Sequence, residues 1–269
     1  MRRSLLVSTA LSTVLLASAG TAIAGDLSVT TVLTDPISTS VGDGGGAGNI
    51  DITASGGVTL DATDVGAAVT LDSATESINS VGTITAGRGT ALQNVGQNGI
   101  LVTTGTTGGI ALGNIKTGTT QVVDSGGAIT TTGVGADAAV LVQGSLGTGI
   151  RSNGSVSTIA STTNPYALLI QQAGSAITIG VVDNSAPATD FGIYNAGNIF
   201  SIGYLNGTPA TGMGIIGSVA NAVSVLGMNN LGTIQGTSNE DSATGLFVGD
   251  TATLGDGTQK LVASVVAQG

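Results

Sequence analysis

Three observations predict that this chain is an all-β solenoid, a right-handed parallel β-helix. Apolar residues alternate with polar ones in short bursts of three to five residues, which is strand periodicity. The 45 glycines, together with Ser, Thr, Asn and Asp, punctuate the chain at close intervals and leave little room for helices. There is no Trp and only three Phe and three Tyr, so the interior must be narrow and built from Val, Ile, Leu and Ala. Stacked coils meet all three conditions, because each coil buries only a few aliphatic side chains and hydrogen-bonds to its neighbours. A β-sandwich, the alternative, calls for aromatics and longer strands. The strand spacing predicts two or three strands per coil of roughly 20–30 residues. About ten such coils at about 4.8 Å each give a rod on the order of 50 Å long.

The first element is the leader. Met1-Arg2-Arg3 is basic, Leu5 to Ala19 is an apolar run diluted by Ser and Thr, and Ala22-Ile23-Ala24 is a small-x-small cleavage signal before Gly25. That order predicts a secretory signal peptide over 1–24, cut between Ala24 and Gly25. An uncleaved anchor fits less well, because the apolar core is short, Ser-rich and followed directly by the cleavage signal. Arg2-Arg3 lacks the neighbours of a twin-arginine signal. Residues 25–269 then form one exported repeat domain. With no Cys in the chain it has no disulfides. Cleavage leaves Arg88, Lys116, Arg151 and Lys260 against sixteen acidic residues, a net charge of −12, which argues against a nucleic-acid partner.

The strands follow in order. Ile50/Ile52, Val58/Leu60, Val69/Leu71, Ile100/Val102 and Ile110/Leu112 are period-two pairs, as are Val140/Val142, Leu168/Ile170, Ile177/Ile179, Val223/Val225 and Leu246/Val248. These pairs predict the inward-facing core. Ser218 to Leu226 reads equally well as helix or strand. A Ser/Asn-x-Gly-x-Ile/Val motif recurs at Ser80, Ser125, Asn195 and Asn230, and shortened by one residue at Asn153. Asn and Gly both tolerate left-handed backbone, so each copy is expected to turn a corner and start a strand.

Motifs with chemical meaning are few. Gly212-Met213-Gly214-Ile215-Ile216-Gly217, with Glu240 downstream, matches a dinucleotide fingerprint. Such a match arises by chance in a Gly-rich chain, and no βαβ unit surrounds it, so a turn between strands is expected. Gly42 to Asp51 has the glycines of a calcium-binding nonapeptide, but Ile50 stands where the Asp belongs and there is one copy, so Asp43 and Asp51 are expected to lie on a Gly-rich turn. Absence of His and Cys excludes the common triads, thiol nucleophiles and His-ligated metals. Asp61/Asp64 and Glu240/Asp241 could serve glycan cleavage if they converged in a cleft; solvated turn positions are the simpler reading. Thr-x-Thr units at Thr83, Thr104, Thr117 and Thr130 would suit an ice-binding ladder only at one constant repeat length, and their spacing is unequal. No catalytic, cofactor or metal residues are therefore assigned.

The signal ending Ala22-Ile23-Ala24, the Asn-x-Gly-x-Ile turns at Asn195 and Asn230, and the aliphatic/Thr/Gly texture from Gly25 onward resemble the passenger region of bacterial autotransporters. That resemblance implies a β-helical stalk on a Gram-negative cell surface, often adhesive, with a glycan or protein receptor. It also implies an outer-membrane translocator barrel as partner. Val262 to Gly269 has neither a barrel-like segment nor an aromatic end, so the repeat domain is expected to continue beyond Gly269. A carbohydrate-active β-helix enzyme is the alternative.

Overall fold

A computed structural model describes residues 25–60, 66–88, 98–119, 121–123, 129–131, 138–160, 165–172, 174–182, 191–203, 208–217, 222–238, 241–254 and 261–263. Those residues form strands and turns, with no helix. The chain is a parallel β-helix. Coil 1 runs through Leu27–Val29, Val32–Leu33 and Ile37–Ser38. Coil 2 is Ile50–Ile52, Gly57–Leu60 and Val69–Leu71, and coil 3 is Ile78–Ser80, Thr83–Arg88 and Ile100–Val102. Coil 4 is Gly109–Leu112, Asn114–Thr119 and Ala138–Val142. Coils 5, 6 and 7 begin at Gly149–Ser152, Ile193–Asn195 and Met228–Asn230 and gain a fourth strand; Leu261–Ala263 opens coil 8. The first strands of successive coils make an eight-stranded sheet, and the second and third strands make a seven-stranded sheet each. The fourth strands, Ile177–Ile179, Val223–Val225 and Ala252–Leu254, form a small fourth sheet. Isolated bridges from Thr106 to Leu146 to Ile179 extend it back into coils 3 and 4.

The coils are longer and fewer than the strand spacing predicts. On the first sheet Leu27, Ile50, Ile78, Ile110, Ile150, Ile193, Met228 and Leu261 lie in register. Coil lengths read from these residues run from 23 to 43, and coils 5 to 7 hold four strands. The eight first strands span about 34 Å at about 4.8 Å per step. The excess length sits in excursions between sheets. One is an antiparallel hairpin of Gln121–Val123 with Ile129–Thr131, inserted in coil 4.

Alternation explains the core. Val69, Ile100, Val140, Leu168 and Met213 stack on the third sheet and are fully buried. Val58, Ile84, Ile115, Val156 and Ile199 do the same on the second. Each fully buried aliphatic side chain stabilises the fold by roughly 1.5–3 kcal/mol. Nine of the ten predicted pairs are buried at both members. The tenth departs: Leu246 is only partly buried and Val248 is 39 % exposed. Their strand Ala243–Val248 is the edge of the third sheet and has a described neighbour on one side only. The third sheet also carries a small apolar cluster separate from the interior, Ala138, Leu141 and Leu169 with Leu101, Tyr166 and Ile216. Burial raises the Tyr166 pKa above its ordinary value, a hydrogen bond with Thr211 opposing it.

Two expectations about glycine change. Gly212 to Gly217 is not a turn: Ala210–Ile216 is a strand with Met213 and Ile215 fully buried. A Cβ at Gly212 would meet the backbone of Gln235 and Gly245 at 2.8 Å, and one at Gly214 the Tyr166 ring at 2.7 Å, so these glycines answer crowding inside a sheet. Among the described residues the glycine of the recurring motif is also not left-handed, since positive φ there is confined among glycines to Gly44, Gly45, Gly66, Gly149 and Gly227. Instead Gly56, Gly82, Gly113, Gly154, Gly197 and Gly232 stack at the corner between the first and second sheets. A Cβ on each of the upper five would press within 3.0 Å of the carbonyl oxygen of the glycine one coil below.

Register also corrects the motif. Ser80, Leu112, Ser152, Asn195 and Asn230 occupy one inward column at that corner. Its coil 5 copy is therefore Ser152-Asn153-Gly154-Ser155-Val156, at full length, rather than a shortened copy starting at Asn153. The short copy belongs to coil 4, where Leu112-Gly113-Asn114-Ile115 spans the corner. Ser125 lies outside the described residues, and the Ile129 that ends its copy is in the hairpin rather than in a coil.

Candidate functional site: a trough on the first sheet

On the first sheet the strands of coils 2 to 6 bury their first and third aligned positions and turn the middle one outward. By register Ser28, Asp51, Asn79, Ala111, Arg151, Tyr194 and Asn229 form one outer column. Isoleucine at 150 and serine at 152, both fully buried, fix Arg151 in it. The Arg151 guanidinium lies over the Tyr194 ring, 6.0 Å from its centroid, a cation–π contact that orients the fork. At the other end Asn79 Nδ2 donates to Asp51 Oδ1 at 2.9 Å.

Between these two pairs the surface sinks. A trough of about 680 Å³ crosses coils 3 to 5. On coil 4 its lining alternates Gly109, Ala111 and Gly113, which carry at most a methyl group, with the inward residues Ile110 and Leu112. Coil 3 contributes Ser77 and Asn79, and coil 5 contributes Arg151 and Asn153. Asn114 stands at one end and its Oδ1 accepts the Ser155 N–H at 3.1 Å. Among the described residues the lining offers amides, hydroxyls and one guanidinium, and no carboxylate.

Beyond the trough, in coils 6 and 7, the inward column at the corner is polar. Asn195 Nδ2 donates to Asn230 Oδ1 at 2.6 Å, and Asn195 Oδ1 accepts the Gly197 N–H at 3.1 Å. Asn230 Nδ2 donates to the Gly232 carbonyl at 3.2 Å. The motif's Asn thus ties each coil to the next and to its own corner. Ser152 Oγ and Thr158 Oγ1 are buried without a hydrogen-bond partner.

The residues singled out in the sequence do not meet here. Ala22, Ala24, Asp61, Asp64 and Glu240 lie outside the described residues. Gly25 is half-buried and bridges Asp43. Asp43 is exposed on a tight turn in which Gly42 N–H donates to the Gly46 carbonyl and Gly44 and Gly45 have φ of 84° and 85°. Asp51 sits on a strand rather than on that turn. Asp241 is exposed and accepts the Ser242 N–H. Asp72 is engaged by Thr39 and Ser40. Glu76 is held by Thr75, and this hydrogen bond, with one from Ser73, lowers its pKa below the usual value. No group of three or more acidic residues gathers among the described residues. The Thr-x-Thr units are scattered too: Thr83 and Thr85 on the second sheet, Thr106 at the bridge column, Thr130 in the hairpin.

No family model matches this chain, and no curated protein or solved structure matches it. The trough is therefore read from its own residues. Sequence reasoning left Arg151 as one of four scattered bases. The signal that marks it is the motif in its true register: the residue immediately before each motif start is the outward one. That rule selects Asn79, Arg151, Tyr194 and Asn229.

Proposed function

We propose that this chain is an exported, non-enzymatic β-helix that serves at the Gram-negative cell surface as an adhesin or structural stalk of an autotransporter-like protein, its translocator barrel being a partner. The observation that carries this reading is the stack itself. A continuous aliphatic interior without aromatic bulk makes a rod whose outer side chains change freely along one registered face. Asp51 is engaged by Asn79, Asp72 by Thr39 and Ser40, and Glu76 by Thr75, and among the described residues no carboxylate lines the trough. A glycan-cleaving centre needs a pair of carboxylates across one cleft. The test is expression of the full chain in a Gram-negative host, with N-terminal sequencing and protease accessibility on intact cells. The expected product begins at Gly25 and is digested from outside. Material that begins at Met1 and stays protected in the cytoplasm would end this reading.

A further inference from the structure

We infer that Asn153, at the corner between the first and second sheets in coil 5, is a site of spontaneous covalent modification, closing on the Gly154 nitrogen and reopening as isoaspartate or aspartate. Asparagine followed by glycine is the pair that does this most readily. Glycine has no Cβ to shield its N–H or to hinder the rotation that brings it to the asparagine Cγ. The chain holds three such pairs, Asn98-Gly99, Asn153-Gly154 and Asn206-Gly207. The last lies outside the described residues. The other two are held differently. Asn98 is half-buried, its Oδ1 accepts the Ala138 N–H at 3.3 Å, and the buried Gly99 donates its N–H to the Ala139 carbonyl at 2.8 Å. Asn153 is exposed, and no described residue hydrogen-bonds its side-chain amide. Gly154 donates at 3.3 Å to a Leu112 carbonyl that also accepts the Asn153 N–H at 3.2 Å. Both the amide to be attacked and the attacking nitrogen are thus more loosely held at Asn153.

The reaction consumes water, releases ammonia and needs no partner. A solvent base takes the Gly154 N–H proton and the nitrogen attacks Asn153 Cγ. The Cγ–Nδ2 bond breaks, and ammonia leaves with a proton from solvent. Water then opens the cyclic imide. Opening at Cγ gives aspartate with the main chain unchanged. Opening at the main-chain carbonyl leaves residue 153 joined to Gly154 through Cγ, which is isoaspartate, with one more carbon in the main chain. The corner distinguishes these products. Gly154 lies in the glycine column between Gly113 of coil 4 and Gly197 of coil 6. A Cβ on Gly154 would press into the Gly113 carbonyl, and one on Gly197 into the Gly154 carbonyl. The Gly154 carbonyl accepts the Asn198 N–H at 3.0 Å, and Ser155 donates its N–H to Asn114 Oδ1 at 3.1 Å. Aspartate at an exposed position leaves these contacts as they are. An added main-chain carbon has no room in so close a stack, so isoaspartate parts coils 5 and 6 at the corner.

Ageing the purified full chain in mildly alkaline buffer tests this. Peptide mapping by mass spectrometry follows the mass gained as an amide becomes a carboxyl, and fragmentation separates isoaspartate from aspartate. Each hydrogen bond that must be given up slows the reaction about fivefold. Asn98 gives up two and Asn153 a single weak one, so Asn153 is expected to convert at least about fivefold faster than Asn98 in the folded chain. In denaturing urea the two pairs should convert at equal rates. Hydrogen exchange reads the consequence. Aged protein should lose protection of the Asn198 amide in proportion to its isoaspartate. N153D, which carries the direct product, should keep that protection, and so should N153Q aged in the same way. Conversion at Asn98 as fast as at Asn153 in the folded chain, or none at Asn153, overturns the site. Isoaspartate with the Asn198 amide still protected overturns the effect on the corner, as does equal loss of protection in N153D or in aged N153Q.

Discussion

Gly197→Ala is the sharpest test of how the coils are held. The new Cβ would fall within 3.0 Å of the Gly154 carbonyl oxygen and carbon and of the Asn153 carbonyl carbon. All are backbone atoms and cannot rotate away. Relief requires coils 5 and 6 to separate at the corner, which stretches the Asn198 N–H to Gly154 carbonyl bond, now 3.0 Å. Overpacking of this kind costs about 1–3 kcal/mol, and a weakened hydrogen bond adds about 0.5–1.5 kcal/mol. The expected loss is about 2–4 kcal/mol, a fall in melting temperature of roughly 5–12 °C for a chain of this size. Two other glycines calibrate it. Gly174 has nothing within 4 Å of its Cβ position and no positive φ, so Gly174→Ala should stabilise by about 0.4–1 kcal/mol. Gly45 also has open space but φ of +85°, so Gly45→Ala should cost about 1–2 kcal/mol through backbone strain alone. Thermal melting followed by circular dichroism ranks the three, and hydrogen exchange should show the Asn198 amide losing protection in Gly197→Ala only. A Gly197→Ala protein as stable as Gly174→Ala would refute the close stacking of the corner.

Three further outcomes are expected. Val140→Asp places an unpaired carboxylate at a fully buried position and should cost several kcal/mol in urea unfolding, whereas Val81→Asp, at a site 60 % exposed, should stay within about 0.5 kcal/mol; equal losses would contradict the strand faces. Thr158→Val removes a buried hydroxyl that has no partner and should be neutral or stabilising by up to about 1–2 kcal/mol, while Ser201→Ala breaks a 2.7 Å bond to the Pro165 carbonyl and should cost about 1 kcal/mol; the reverse order would show the two hydroxyls misassigned. The lowered pKa of Glu76 means its hydrogen bonds with Thr75 and Ser73 stabilise the fold above the unfolded carboxyl pKa, and that contribution disappears as pH falls through the lower folded value. The acid limb of a stability–pH curve should accordingly flatten slightly in Glu76→Gln and stay unchanged if Glu76 does not contribute.

The interior was legible because alternation is a local signal. Ile50/Ile52 and Val223/Val225 announce buried positions without knowledge of what they stack on. Coil length was not legible, because it depends on how much chain leaves the stack between sheets. Inward residues on the second and third sheets are four apart in coil 1, Leu33 and Ile37, but 25 apart in coil 4, Ile115 and Val140, where the hairpin is inserted. The motif glycine was found for the wrong reason: φ is a property of one residue, whereas the crowding at Gly197 exists only once Gly154 lies beneath it. Arg151 stayed hidden for the same cause, since its neighbours Ala111 and Tyr194 are 40 and 43 residues away along the chain.

Constant and variable corners have different physical origins, and the difference shapes the outer face of the first sheet. Between the first and second sheets, inward residues are four apart in five of the seven coils, as in Ser152 to Val156 and Asn195 to Ile199. Glycine backbones there sit on one another, so an inserted residue would have to displace the coil above. No such column fixes the crossing from the second sheet to the third, and insertions collect there. The first-sheet strands of coils 2 to 6 therefore enter their corner in the same register, with the middle residue facing outward. Substitution of that residue changes the surface without touching the aliphatic ladder beneath it. Asn79, Ala111, Arg151 and Tyr194 differ in every chemical respect while Ile78, Ile110, Ile150 and Ile193 beside them are identical. A rod built this way separates the aliphatic residues that hold it together from the outward residues that give its face its chemistry.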